Sequence, residues 1–317
     1  MYEIALSVAA CLRAGTRVDV AWVVESRGFS SRDHSEALAI TPGGGRIGGL
    51  LSGSVNDQLG ELSAQASEGR LADLHVGEIE ALAAGLSCGG DARCLLVPAA
   101  GLPAELWDRL RNREPVCLIT RLDGERVLGT ELFTSDTIGD APDDVSARFA
   151  RAVSETVVTP DTVVTVLWPV PKLVVVGAGA VAEALAAAAA LLGWHTHTLT
   201  DLSSATGVIA ELAVLDKVVV ISHDHDLAGP ALATALSSDV GYIGALGSRR
   251  TQQARADWLA GRGITDLDRI HGPAGLDIGA DTPAEIAVSI LAEALALKSA
   301  SSAGSLRRRG GSIHAAP

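Results

Sequence analysis

The chain has 317 residues, enough for two domains, and 48% of them are apolar. Aromatic residues make up only 3%, which favours closely packed helix-on-sheet layers over an aromatic-lined binding surface. A formal charge of −13 argues against nucleic-acid or anionic-lipid partners, so any bound phosphate must be gripped locally by backbone amides and a few cations.

In chain order, residues 1–130 read as an N-terminal α/β domain. Glu3 to Ala14 is expected as a helix, and Val18 to Ser26 and Glu36 to Thr41 as strands. The glycine-rich "PGGGRIGGLLSGS" then leads into an expected helix at Val55 to Ala66, with Ser54 as its cap and Asp57 three residues on. In "GLSCGG", Cys88 sits in a turn, where a thiol is reactive, a soft-metal ligand or simply a small buried hydrophobe. Strands are expected at Arg93 to Pro98 and Pro115 to Arg121, with a helix at Ala104 to Arg113 between them. Residues 131–170 read as a connecting region with one helix, Asp144 to Ser154.

The four cysteines, Cys11, Cys88, Cys94 and Cys117, form no C-x-x-C pair, so neither a zinc knuckle nor a redox motif is indicated. Together with the lack of a basic region followed by an apolar core near Met1, this sets the expectation of a reducing cytoplasm.

Residues 171–300 alternate strand and helix, the pattern of a Rossmann-like doubly wound parallel sheet. "KLVVVG", "HTHTL", "KVVVIS" and "GYIGAL" are its expected strands. The stretch Leu173 to Trp194 is long and apolar enough to suggest a membrane span, but Gly177, Gly179 and Glu183 interrupt it. The tail 301–317 is small, polar and basic, a composition expected to be disordered.

Gly177, Gly179 and Ala182 fit G-x-G-x-x-A between an expected strand and a helix starting near Ala180. The first glycine permits a tight turn, the second admits a phosphate, and a small third residue lets helix pack on strand. Asp201, at the expected end of the next strand, is placed to accept from a ribose hydroxyl. Any pyrophosphate-bearing ligand suits such a seat, so the motif alone does not specify nicotinamide.

Three further clusters fall on the same sheet. "SHDHD" holds His223, Asp224 and His225 after a strand; in an extended segment the two histidines would point the same way, and metal binding, proton transfer or contact with a polar ring are all open to them. In "YIGALGSRRT", Gly247 allows close approach and Ser248, Arg249 and Arg250 suit an anion. In "GPAGLDIGADTPAEIAVSILAEALAL", Thr282, Pro283 and Glu285 make a helix entry with a capping box, preceded by a loop carrying Asp277, Gly279 and Asp281.

Together these motifs resemble the XdhC/CoxI-type family of accessory proteins that mature molybdenum hydroxylases such as xanthine dehydrogenase. The resemblance is closest over residues 171–297, through "VVVGAGAVAEAL", "VVVISHDHDLAGPAL", "YIGALGSRR" and "GPAGLDIGADTPAEIAVSILAE", and looser over residues 20–98. It implies a non-catalytic protein that carries molybdenum cofactor to a client hydroxylase, with a sulfurtransferase as a further partner; a homodimer is expected because the Ala-rich helices could pack between subunits. By that reading Gly177, Gly179, Ala180, Asp201, His223, Asp224, Gly247, Ser248, Arg249, Arg250 and Asp277 face the cofactor, and Cys88 and His223 are the weak metal candidates. The family's Gly-Gly-Cys-x-Glu run falls here on Ser52 to Asn56, without thiol or carboxylate. Two other readings stay open: an NAD(P)-dependent oxidoreductase using the same turn, and a regulator or scaffold that keeps the fold without the ligand.

Overall fold

The computed structural model describes residues 1–29, 36–65, 68–298 and 301–308. The chain divides into two compact units, with the boundary between Pro169 and Val170.

The first unit contains α1 (Ala5–Arg13), β1 (Asp19–Arg27), β2 (Leu38–Ile40), β3 (Arg46–Gly48), α2 (Asn56–Gln65), β4 (Arg70–Val76), α3 (Glu78–Ala83), β5 (Gly90–Pro98), α4 (Leu106–Arg111), β6 (Val116–Asp123), β7 (Arg126–Thr134), α5 (Asp143–Ala150), β8 (Glu155–Val158) and β9 (Thr162–Leu167). Nine strands pair in the order β3-β2-β1-β5-β4-β7-β6-β9-β8. The pairings are antiparallel. Successive residues of β1 enter opposite cores, because side chains alternate across a strand. Val20, Trp22 and Val24 pack with α1 and α4, whereas Ala21 and Val23 pack with α2. The buried Trp22 indole donates to Thr165 Oγ1 at 3.1 Å.

That bond reaches into the segment expected to connect the domains. Residues 131–169 instead hold the end of β7, α5 and the β8–β9 hairpin, which completes one edge of the sheet. Of the Asp and Pro residues that suggested a linker, Asp143 and Asp144 open α5, and Pro160 and Asp161 form the hairpin turn, where the Thr159 amide donates to Thr162 O at 2.8 Å. Val163 and Val166 of β9 are fully buried.

The second unit runs β10 (Lys172–Val176), α6 (Ala180–Leu191), β11 (His195–Leu199), α7 (Leu202–Ala210), β12 (Lys217–Val220), α8 (His225–Ser237), β13 (Tyr242–Ala245), α9 (Arg249–Ala260), β14 (Ile270–His271) and α10 (Pro283–Lys298). All its strands are parallel, in the order β11-β10-β12-β13-β14. Leu173, Val175 and Val219 face α6 and α10, and Val174, Val176, Val218 and Val220 face α7, α8 and α9. Burial on both faces is why these strands read as unbroken apolar runs. The chain leaves β10 for β11 on one side and returns to β12 on the other. The carboxyl ends of β10 and β12 therefore make the switch point, where doubly wound sheets leave a ligand crevice.

Among the described residues no helix is long and apolar enough to cross a membrane, so the apolar stretch at residues 173–194 is the strand, turn and helix β10–α6. Of the tail, Leu306–Arg308 forms one 3₁₀ turn, and residues 309–317 lie outside the described residues.

Candidate functional site

The turn after β10 is shaped by two glycines with different tasks. Gly177 has φ +120°, and a Cβ there would lie 2.8 Å from Ile221 Cγ1 and 2.9 Å from the Ser222 amide nitrogen. It is needed for close packing, and its own amide already donates to Leu199 O at 2.8 Å. Gly179 also has φ +120°, but a Cβ there would meet nothing within 4 Å. Ala178, Gly179 and Ala180 are exposed.

Gly179 is the N-cap of α6 and no side chain caps that helix. Its carbonyl receives the Glu183 amide at 3.1 Å, so the amides of Ala180, Val181 and Ala182 precede the helix's own ladder. The other helices of this unit are closed at their starts. Asp201 Oδ1 accepts from the Ser204 amide (2.8 Å) at α7, and Asp224 Oδ1 from the Asp226 amide (2.9 Å) at α8. Ser248 Oγ accepts from the Thr251 amide (3.3 Å) at α9. At α10 the expected capping box is present: Glu285 Oε2 accepts from the Thr282 amide (2.8 Å), and the Glu285 amide donates to Thr282 Oγ1 (3.3 Å). α6 is thus open where donors and the positive end of the helix dipole converge.

Asp201 stands two residues beyond the end of β11, not at its end, because it caps α7. The bonds from Ser204 hold its carboxyl below the usual range, so it stays ionised.

His223 and His225 follow the strand, as expected, but the segment is not extended, so the condition under which they would point the same way is not met. β12 ends at Val220, Asp224 caps α8, and His225 is the first residue of that helix. An Asp able to satisfy a helix N-terminus outcompetes the continuation of a strand. Both histidines are exposed. Ser222 ties this loop to the glycine turn: its amide donates to Val176 O (3.0 Å) and its hydroxyl accepts from the Asp224 amide (3.1 Å).

After β13, Gly247 has φ +133°, and a Cβ there would press on Thr251 at 3.0 Å. Ser248, Arg249 and Arg250 are exposed. A groove of about 280 Å³ beside this loop is lined by Arg249, Gln252, Arg255, Gly272 and Pro273, among others. Arg255 was not singled out from the sequence. It is 3% exposed, and its guanidinium donates to Leu246 O (2.7 Å) and Ser222 O (2.9 Å). Its sequence signal is slight: it follows the cap Ser248 by one heptad, hence on the same helix face.

The loop after β14 is pinned to α10. Glu293 Oε2 accepts from the buried Tyr242 hydroxyl (2.6 Å) and the Gly275 amide (2.9 Å), while Ser289 Oγ donates to Leu276 O (2.6 Å). Asp277 follows at once and is exposed.

In the first unit, the half-buried Cys88 thiol donates to Gly28 O. Among the described residues no group of three or more His, Cys, Asp or Glu side chains is arranged to hold a metal ion. Ser54 does not cap α2 as expected; its hydroxyl donates to Leu51 O at 2.8 Å, within a tight turn. Leu51 and Ser52 both take positive φ there, +50° and +56°.

The family-model match falls on the second unit. Residues 173–294 match the family model described as the XdhC Rossmann domain. Two similar proteins come from Escherichia coli (strain K12). The uncharacterised protein YqeB is 32% identical over 148 residues, covering 40% of this chain and 27% of that protein. The molybdenum cofactor insertion chaperone PaoD is 30% identical over 132 residues, covering 41% of each. The chain therefore spans less than half the length of these curated relatives. A crystal structure described as a xanthine dehydrogenase from Bacillus halodurans aligns over 96% of this chain and 98% of that one, with a TM-score of 0.49 and 20% identity. The C-terminal parallel-sheet unit, with the open glycine turn at its switch point, thus matches the XdhC Rossmann domain.

Proposed function

We propose that this protein binds molybdenum cofactor and assists its insertion into a molybdenum hydroxylase of the xanthine dehydrogenase type. The carrying observation is the uncapped start of α6 at Gly179, where a side chain would occupy open space and the amides of Ala180, Val181 and Ala182 point away from the helix ladder. A phosphate or pyrophosphate, the anionic end of the cofactor, fits that seat by charge and by donor geometry. Ser248, Arg249 and Arg250 add anion contacts from the end of β13, and His223, Asp224, Gly247 and Asp277 flank the pterin. Similarity to a molybdenum cofactor insertion chaperone supports the cargo. The cofactor is held and passed on, not turned over.

In this reading the protein works in the cytoplasm as a homodimer, receives cofactor processed by a sulfurtransferase, and docks a client hydroxylase. Cys88 and His223 are isolated candidates for contact with the metal. The test is anaerobic purification from cells that make the cofactor, followed by molybdenum and pterin assay of the bound fraction. Both are expected together, in near-equal amounts; a fraction with neither contradicts the reading.

One observation favours a second reading. Asp201 is ionised beside the turn, and a carboxylate there is what an NAD-dependent oxidoreductase would offer a ribose hydroxyl. Titration calorimetry separates the two: micromolar binding of NAD, with no retained pterin, selects the oxidoreductase.

A further inference from the structure

The crevice has a floor that neither the motifs nor the family match assigns. Arg255 lies on α9 at 3% exposure, and its guanidinium spans two loops. Nη2 donates to Ser222 O (2.9 Å) and Nη1 to Leu246 O (2.7 Å), with a longer contact to Gln252 Oε1 (3.4 Å). The two acceptors are themselves wired to strand ends. The Ser222 amide donates to Val176 O (3.0 Å), and the Leu246 amide to Val220 O (2.9 Å). One side chain thus joins the carboxyl ends of β10, β12 and β13. Ser222 is also the residue against which Gly177 packs most closely along the main chain.

Arg255 is also a buried cation whose hydrogen-bond partners are carbonyl oxygens and an amide, not a carboxylate. Burying a charge without a counter-ion is costly, and carbonyl dipoles offset only part of that cost. Desolvation accordingly lowers its affinity for its proton. Such a cost is recovered when an anion settles nearby, because attraction is strong where water is excluded. Gln252, one turn before it, fixes the same loop by donating to Ala245 O (2.8 Å) and Gly247 O (3.1 Å). This loop leads directly into Ser248, Arg249 and Arg250.

We propose that Arg255 is a positioning residue for the anion seat: its planar fork sets the loops after β12 and β13 against the glycine turn, and its charge favours a phosphate there. The inference rests on the phosphate-seat reading and extends it to a residue that lies beneath the crevice. Only a guanidinium reaches both carbonyls at once; a lysine keeps the charge but offers a single point.

The experiment uses the full chain and inorganic pyrophosphate as probe, in titration calorimetry at two salt concentrations, with Arg255→Met, Arg255→Lys and Gly179→Val. Thermal unfolding of each variant is measured alongside. Wild type is expected to bind, and Gly179→Val to lose binding. Arg255→Met is expected to weaken binding by about tenfold or more and to flatten its salt dependence, and Arg255→Lys to fall between the two. If Arg255→Met does not fold, Arg255→Lys decides alone: wild-type affinity overturns the proposal and a weakened one supports it. Wild-type affinity in a folded Arg255→Met, with Gly179→Val inactive, overturns the role of Arg255 and leaves the seat standing. Absence of binding by wild type overturns the seat itself, and this extension with it.

Discussion

Gly177 and Ser222 approach so closely that a methyl group on the glycine would stand 2.9 Å from the serine's amide nitrogen. The contact joins the turn after β10 to the loop after β12 and so defines the crevice at the switch point. It also separates the two glycines of the motif by mechanism. Gly177→Ala should cost about 2–4 kcal/mol of stability, from overpacking against backbone and from an unfavourable φ. Gly179→Val should cost less, about 1–3 kcal/mol, because only the backbone conformation resists it. Denaturant unfolding of the two variants checks this; equal costs would contradict the assignment.

A second prediction concerns a charge at the other end of the same sheet. Lys217 is 3% exposed, with its ammonium 4.2 Å from the Trp194 ring centroid and bonded to Leu215 O. Burial, reinforced by Lys298 and opposed by Asp216, lowers its pKa to about 8. The folded value lies below the unfolded one, so the unfolded chain binds more protons between about pH 8 and 10.5. The full penalty, about 3 kcal/mol, is present below pH 8, and this residue's contribution to stability rises with pH across that window. Lys217→Met should raise stability at pH 7 by about 1–3 kcal/mol and remove that rise. Asp216 is not stranded by the change, since it accepts from the amides of Lys172 (2.8 Å) and Ala213 (2.9 Å). A variant less stable than wild type at pH 7 would refute the argument.

The cysteines supply a third. Cys94 and Cys117 are fully buried, and burial pushes the Cys117 thiol up to about 12. Cys11 and Cys88 are only half-buried. A thiol reagent at pH 8 should label Cys11 and Cys88 in the native protein, and Cys94 and Cys117 only after denaturation. Mass spectrometry of the labelled peptides gives the answer, and native labelling of Cys117 would contradict the packing described.

The fold was legible where local pattern and burial agree. "KLVVV" and "KVVV" are buried on both faces and bounded by glycine or by a capping Asp, so their run lengths alone mark strands of a parallel sheet. The first unit was less legible because its sheet is joined by pairings distant in sequence. β4 and β7, neither expected, meet at Arg70 and Arg126, and the β8–β9 hairpin was masked by Asp and Pro at its turns. At the site, the glycine turn follows from conformational limits that the sequence displays. The positions of His223 and His225 after the strand were legible, but their directions were not, because Asp224 caps a helix and ends any extended run. Arg255 was hidden because its acceptors are backbone carbonyls, which every residue possesses.

The central claim is that the main-chain donors at the start of α6 hold a negatively charged group. Backbone amide chemical shifts followed during titration with inorganic pyrophosphate test it most directly. The account predicts saturable shifts at Ala178 to Ala182 and at Ser248 to Arg250, abolished by Gly179→Val. Shifts confined to other parts of the chain, or unchanged by that substitution, would contradict it.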